Sequence, residues 1–232
     1  MLYAGTSGYS FREWVGNFYP PKTPANEYLA FYASRLNSVE INHTFRRFPT
    51  TKLLTSWAEK TPESFIFSLK MHQSVTHVAR LKSVGDSVED FLKAVSPLGP
   101  RLGVILFQLP PYFKAKIDRL ESFLKELPSG HKYAIEFRHE SWNEPAVVDL
   151  LRDAGVALCV ADAEIGEEVD FKPTASHGYV RLRKVPPYTD EEIELVQQQI
   201  RDFLGQVEDL YLYAKHDDEG IAPETILRLQ SY

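Results

Sequence analysis

Two glutamates, Glu40 and Glu136, stand near the polar ends of short apolar runs, Val39-Glu40-Ile41-Asn42 and Tyr133-Ala134-Ile135-Glu136-Phe137-Arg138. Two carboxylates facing one cleft can serve as acid and base when burial raises the pKa of one of them. In glycosidases the separation of such a pair sets the stereochemical outcome. Lys70, Arg138 and Arg181 end or follow similar runs. Together they can clamp a phosphate or carboxylate, arginine in bidentate fashion. His77, in Thr76-His77 after the third run, adds a proton carrier that titrates near neutrality. The bland alternative is that these charges only balance one another, since buried charges are seldom left unpaired.

The runs themselves say what must position these groups. They are Leu2–Ser7, Val39–Asn42, Phe65–Lys70, Gly103–Gln108, Tyr133–Arg138, Leu158–Asp162, Tyr179–Arg183 and Asp209–Lys215. Helix-period stretches separate most of them, for instance Leu29, Tyr32, Ala33 and Leu36, or Ile193, Val196, Ile200 and Phe203. Thr189-Asp190-Glu191-Glu192 reads as a helix N-terminus and Gly155 as a helix-ending glycine. Long loops are expected over Gly8 to Thr23 and Met71 to Gly85. The stretch from Ala163 to His177 has little helical period, so the sixth helix is expected to be reduced to a turn. Eight buried strands alternating with helices predict an α/β fold, a parallel (β/α)8 TIM-type barrel. With no linker between the signals, residues 1–232 read as a single domain. Such barrels carry their active sites at the C-terminal ends of the strands.

Side chains alternate across a strand. With the apolar faces against the helices, the inward set is Glu40, Asn42, Lys70, Gln108, Glu136, Arg138, Asp162 and Arg181. That concentration of polar groups at one end predicts a functional cleft. Tyr9 and Trp14, in the aromatic loop after the first strand, are candidates to stack on a sugar or base. Phe18 and Trp142 read as rim packing. A divalent metal is an option through His77, His139 and His216 with Glu40, Glu136, Asp162 and Asp217, but no HxH or HExxH spacing supports one. No metal ligand set is therefore assigned and no cofactor is expected. The chain lacks GxGxxG, P-loop and GxSxG patterns, which leaves nucleotide-fold and serine-hydrolase readings unsupported.

Composition sets outer bounds. At 44% hydrophobic and 25% charged residues the chain is of globular type. A net charge of −6 argues against a broad footprint for nucleic acid or an anionic membrane. No apolar stretch approaches the ~18 residues that span a bilayer. Cys159, the one cysteine, sits in an apolar run and reads as a core residue in a reducing compartment. The first strand signal opens at Leu2, which leaves no room for a signal peptide, and a cytoplasmic protein is expected.

Taken in order, several blocks resemble a known family. They are Gly5-Thr6-Ser7-Gly8-Tyr9-Ser10 with Trp14, Gly16 and Phe18-Tyr19-Pro20; Val39-Glu40-Ile41-Asn42 with Thr44-Phe45 and Pro49; and Phe67-Ser68-Leu69-Lys70 with Thr76-His77. Leu106-Phe107-Gln108-Leu109-Pro110-Pro111 and Glu136-Phe137-Arg138-His139 with Ser141-Trp142 follow. The chain is similar, over nearly its whole length, to the family called domain of unknown function seventy-two, or YecE-like. The resemblance implies a TIM-type barrel and no established activity. Two blocks depart from the family pattern. Arg181-Leu182-Arg183-Lys184 stands where an Arg-Leu-His-Gly run is usual, and Lys215-His216-Asp217-Asp218 where asparagines are frequent.

The sequence thus points to an enzyme doing acid/base chemistry on a small polar anionic substrate, such as a phosphorylated sugar. Glu40, Glu136 and His77 are the catalytic candidates. Asn42, Lys70, Gln108, Arg138, Asp162, Arg181, Tyr9 and Trp14 are the binding candidates. Two alternatives stay open: a metal-assisted hydrolase acting on a phosphoester or nucleic acid, and a non-catalytic binding or scaffold protein. Oligomeric state is not legible.

Overall fold

In the computed structural model, which describes residues 1–162, 173–184 and 186–231 (Asp162 by its backbone alone), eight parallel strands form one sheet. The strands are β1 (Leu2–Thr6), β2 (Ser38–Ile41), β3 (Ile66–Lys70), β4 (Leu102–Gln108), β5 (Lys132–Glu136), β6 (Ala157–Asp162), β7 (His177–Leu182) and β8 (Asp209–Ala214). Their order is β1-β8-β7-β6-β5-β4-β3-β2, which brings β1 and β2 to the two edges of one nearly closed barrel. Around it lie α1 (Tyr28–Arg35), α2 (Thr51–Lys60), α3 (Gly85–Val95), α4 (Ile117–Lys125), α5 (Pro145–Ala154), α6 (Asp190–Leu204) and α7 (Ile221–Gln230). The TIM-type α/β architecture is the one the periodicity predicts. Residues 163–172, where the reduced sixth helix is expected, fall outside the described residues.

Local chemistry sets the helix ends. Thr189 and Glu192 form a reciprocal capping box at the start of α6. Pro145 opens α5 and Gly155 ends it in the left-handed conformation, φ 63°. The segment after β3 differs from the expected loop: Ser74–Val78 makes a π-helical turn that buries Val75 and Thr76. Several strands also stop earlier than their apolar runs. β5 ends at Glu136 because Phe137 leaves the sheet to stack on Trp142, ring centroids 4.5 Å apart.

Two apolar regions hold the fold. The larger lies between strands and helices and includes Val39, Ile41, Leu69, Ile105, Phe107, Ile135 and Leu212. The smaller fills the barrel interior with Ile66, Val104, Leu106, Ala134, Ala157, Cys159, Tyr179, Tyr211 and Tyr213. The inward face is therefore polar only toward the C-terminal mouth; below that it is a packed core, as small barrels require.

The β1–β2 edge is joined by side chains. Ala4 N–H donates to the Asn37 amide oxygen at 2.8 Å, and the Asn37 amide nitrogen donates to the Leu2 carbonyl at 2.8 Å. Thr6 N–H donates to the Tyr32 hydroxyl at 2.8 Å, which in turn donates to the Ser38 carbonyl at 3.1 Å. Buried backbone groups that no ladder satisfies are satisfied here by two side chains. The approach is so close that a Cβ on Gly5 would stand 1.9 Å from the Ser38 carbonyl oxygen, so only glycine fits.

Candidate active site at the C-terminal mouth

The strand alternation carries straight into the site. On β7 the inward sequence is Tyr179, Arg181, then Arg183 just beyond the strand; on β8 it is Tyr211, Tyr213, then Lys215. Glu40 and Asn42 come from the end of β2, Lys70 from β3 and Gln108 from β4. Glu136 comes from β5, and Arg138 stands two residues past it. Gln108 and Glu136 are direct partners in the β4–β5 register, which places their side chains side by side.

These groups form one connected network. The Arg181 guanidinium forks across the barrel, 2.6 Å from Glu136 Oε2 and 2.9 Å from Glu40 Oε1. The Tyr179 hydroxyl donates to Glu40 Oε2 at 2.7 Å and the Asn42 amide to Glu40 Oε1 at 3.0 Å. Gln108 donates to Glu136 Oε2 at 2.8 Å and accepts from Lys70 Nζ at 2.6 Å, so its amide orientation is fixed from both sides. Glu136 Oε1 has no hydrogen bond but lies 3.5 Å from Arg183 Nη1 and 3.9 Å from Arg138 Nε. Glu40 is 0% and Glu136 1% exposed, so each charge depends on these partners.

The electrostatics follow from burial and neighbours. Burial alone would raise the Glu136 pKa, but Arg181, the Gln108 amide and Arg183 outweigh it and hold the carboxyl below its usual range. Arg181 is likewise held more firmly protonated: burial opposes its charge, and Glu40 and Glu136 overcome that. Lys70 moves the other way. Burial and then the Arg181 charge lower its pKa to about 8. Its ammonium sits 4.3 Å from the centroid of the Phe45 ring, a cation–π contact.

Above the network opens a cleft of about 680 Å³. Among the described residues its walls carry six cationic side chains, Arg46, Lys70, Arg138, Arg181, Arg183 and Lys215, and no carboxylate. Glu40 and Glu136 lie beneath this lining. Tyr9 and Phe11 form an aromatic wall, with Phe11 stacked on His216 at 4.6 Å and 9°.

The structure therefore brings together Glu40, Asn42, Lys70, Gln108, Glu136, Arg138 and Arg181, with Tyr9 on the cleft wall. Trp14 is not among them: it is fully buried and its indole donates to the Asp217 carbonyl at 2.7 Å. His77 does not line the cleft either. It packs edge-on against Phe45 at 4.8 Å and bonds Thr76 at 2.9 Å, with its pKa lowered by burial and then by Lys70 and Arg138. The Asp162 side chain falls outside the described residues.

Of the potential metal ligands, His139 accepts from Ser141 N–H at 3.1 Å as a turn cap. Asp217 accepts from the backbone N–H groups of Glu219, Ile221 and Ala222 at the start of α7. Among the described residues no three His, Cys, Asp or Glu side chains are grouped so that they could hold a metal ion. Residues outside the predicted set also reach the cleft: Arg183, Lys215, Arg46, Phe45 and Phe11. The alternation that selects Arg181 selects Arg183 and Lys215 as well, one pleat further on. Lys184, the second change in that block, turns away to pair with Glu192.

Comparison with known proteins agrees with this architecture. The family described as "Protein of unknown function DUF72" matches residues 3–232. The UPF0759 protein YecE of Escherichia coli is 34% identical over 140 residues, 60% of this chain and 49% of that protein, so the match spans about half the relative's length. The UPF0759 protein YunF of Bacillus subtilis is 25% identical over 97% of this chain and 92% of its own. A crystal structure of a DUF72 family protein from Thermotoga maritima superposes with a TM-score of 0.86 at 26% identity, covering 99% of this chain and 98% of that one. A glycoside hydrolase family 30 xylanase from Clostridium acetobutylicum, at 11% identity and a TM-score of 0.53, shares the fold alone. With the whole barrel and its strand-end blocks inside the matched span, this chain belongs to the DUF72 family.

Proposed function

We propose that the C-terminal mouth is the active site of an enzyme that binds a small polyanion and moves a proton on it. The observation that carries this reading is the lining: six cationic groups and no carboxylate among the described residues, in a chain whose net charge is −6. A concentration of like charge raises the free energy of the empty cleft, and an anionic ligand relieves it. Arg138, Arg181 and Arg183 supply the planar donors that hold a phosphate or carboxylate. Glu40 and Glu136 act as counter-charges that hold Arg181 aimed before any ligand arrives. Lys70 is the proton-transfer group, since its pKa of about 8 lies near the working range of a general acid or base.

The glycoside hydrolase likeness adds no chemistry to this. A glycosidase acid needs a carboxyl with a raised pKa beside its substrate, whereas Glu136 is held ionised under the cleft floor.

The test is a thermal-shift series with sugar phosphates, inorganic pyrophosphate and the matching uncharged sugars, on the wild type and on Arg138→Ala. A ligand at 100 times its Kd adds about 2.7 kcal/mol of stability. Phosphorylated compounds should raise Tm, uncharged ones should not, and Arg138→Ala should lose most of the shift. Equal shifts with charged and uncharged sugars would sink the proposal.

A further inference from the structure

Of the two lysine amines that line the cleft among the described residues, Lys215 is exposed and Lys70 is half-buried. Arg181 is locked between two carboxylates, and Arg138 and Arg183 lie close to Glu136. Lys70 Nζ instead bonds the neutral amide oxygen of Gln108 and rests on the face of Phe45. Among the described residues no carboxylate comes within ion-pairing distance of it. The Phe45 face closes one side of the amine and Gln108 holds it from another, while the residue remains half-buried and lines the cleft. We propose that Lys70 is an amine nucleophile that forms an imine with the carbonyl carbon of a small anionic aldehyde or ketone clamped by Arg138, Arg181 and Arg183.

The step balances without a co-reactant. The Nζ lone pair attacks the carbonyl carbon, a C–N bond forms, and the carbonyl π pair moves to oxygen. A proton passes from nitrogen to that oxygen, giving a carbinolamine. Loss of water breaks the C–O bond and leaves the imine, with no change in oxidation state. Protonated, the imine withdraws electrons from the adjacent carbon, which is how a lysine promotes proton or carbon–carbon bond removal there.

The charges that set the amine's protonation come from several elements: Glu40 on β2, Glu136 on β5, Arg138 just after it and Arg181 on β7. Burial and the Arg181 charge lower its pKa to about 8, so far more of Lys70 is neutral near pH 7.5 than the about one in a thousand of an ordinary lysine.

The inference rests on the anion-cleft reading, and the experiment separates the two. The full chain is incubated at pH 7.5 with glyceraldehyde 3-phosphate or with glyceraldehyde, reduced with sodium borohydride, and mapped by peptide mass spectrometry. Thermal shift with glycerol 3-phosphate, which has no carbonyl, is measured in parallel.

We expect one reduced adduct on Lys70, formed at least tenfold faster than on any other lysine and tenfold faster with the phosphorylated aldehyde. It should be absent in Lys70→Arg and Lys70→Met, whose folding is checked by circular dichroism. Adducts spread evenly over surface lysines would overturn the imine. If glycerol 3-phosphate still shifts Tm in that case, the anion cleft stands and only the nucleophile fails. No shift and no Lys70 adduct would sink both. Mapping on the wild type decides the matter even if a variant fails to fold.

Discussion

At the N-terminal mouth, Lys132 on β5 and Asp209 on β8 meet at 2.5 Å, with the chain's amino terminus 3.4 Å from the same carboxylate. At the C-terminal mouth, Arg181 spans two fully buried carboxylates and a layer of further cations stands above it. The lower charges are partly exposed and satisfy one another locally. The upper carboxylates are fully buried, and the cleft wall above them carries six cationic side chains and no carboxylate among the described residues. A barrel does not need a cation-lined cleft to close, and the cationic lining above the C-terminal strand ends separates the part that folds the molecule from the part available to a ligand. The position agrees with the general placement of sites in barrels at the C-terminal strand ends.

The sharpest way to break that comparison is to remove the deepest layer. Arg181→Met leaves Glu40 and Glu136 buried without their shared partner and should cost about 3–5 kcal/mol in urea denaturation. Glu40→Gln/Glu136→Gln in the same background should recover much of it. If Arg181→Met costs no more than a surface substitution, the buried carboxylates do not depend on Arg181 for the stability of the fold.

The second effect belongs to the lower half of the barrel. His177 is buried against the Tyr133 carbonyl, and burial lowers its pKa from 6.5 to about 4. The unfolded chain therefore takes up this proton first as pH falls. Stability should drop between about pH 6.5 and pH 4, by about 3 kcal/mol from this residue. His177→Gln should flatten that part of the profile; an unchanged slope would assign the loss to other groups.

Smaller still is the lower ion pair. Lys132 is 38% exposed, so solvent screening discounts it, and Lys132→Met should cost about 1 kcal/mol or less. The smallest structural change should come from Lys215→Ser at the upper rim, within about 0.5 kcal/mol by urea denaturation. The same variant should weaken phosphate binding and reduce its dependence on salt. A variant that alters stability but not anion binding would move Lys215 out of the cleft's function.

Much of this was legible in the chain because strand pleating is local. Two-residue alternation is enough to pair Glu40 with Asn42, or Arg181 with Tyr179 and Arg183, on one face. It cannot say which strand faces which across the barrel, and so the two-carboxylate fork on Arg181 emerges only from tilt and closure. Trp14 shows the opposite limit. An aromatic in a loop on the active face looks available, but its indole N–H finds the Asp217 carbonyl and the ring is drawn into the core. The edge between β1 and β2 was invisible for another reason: neither Asn37 nor Tyr32 lies in a strand, and nothing in their spacing signals that they replace a ladder.

That edge makes one joint of the wall unlike the other seven. Elsewhere strand is bonded to strand by backbone, which every residue type except proline provides. Here continuity depends on an amide and a phenol, so a single base change can weaken the wall beside Glu40 without touching any strand. Within this barrel, then, tolerance to mutation is expected to be uneven around the circumference, with the least redundancy at the meeting point of the first and second strands.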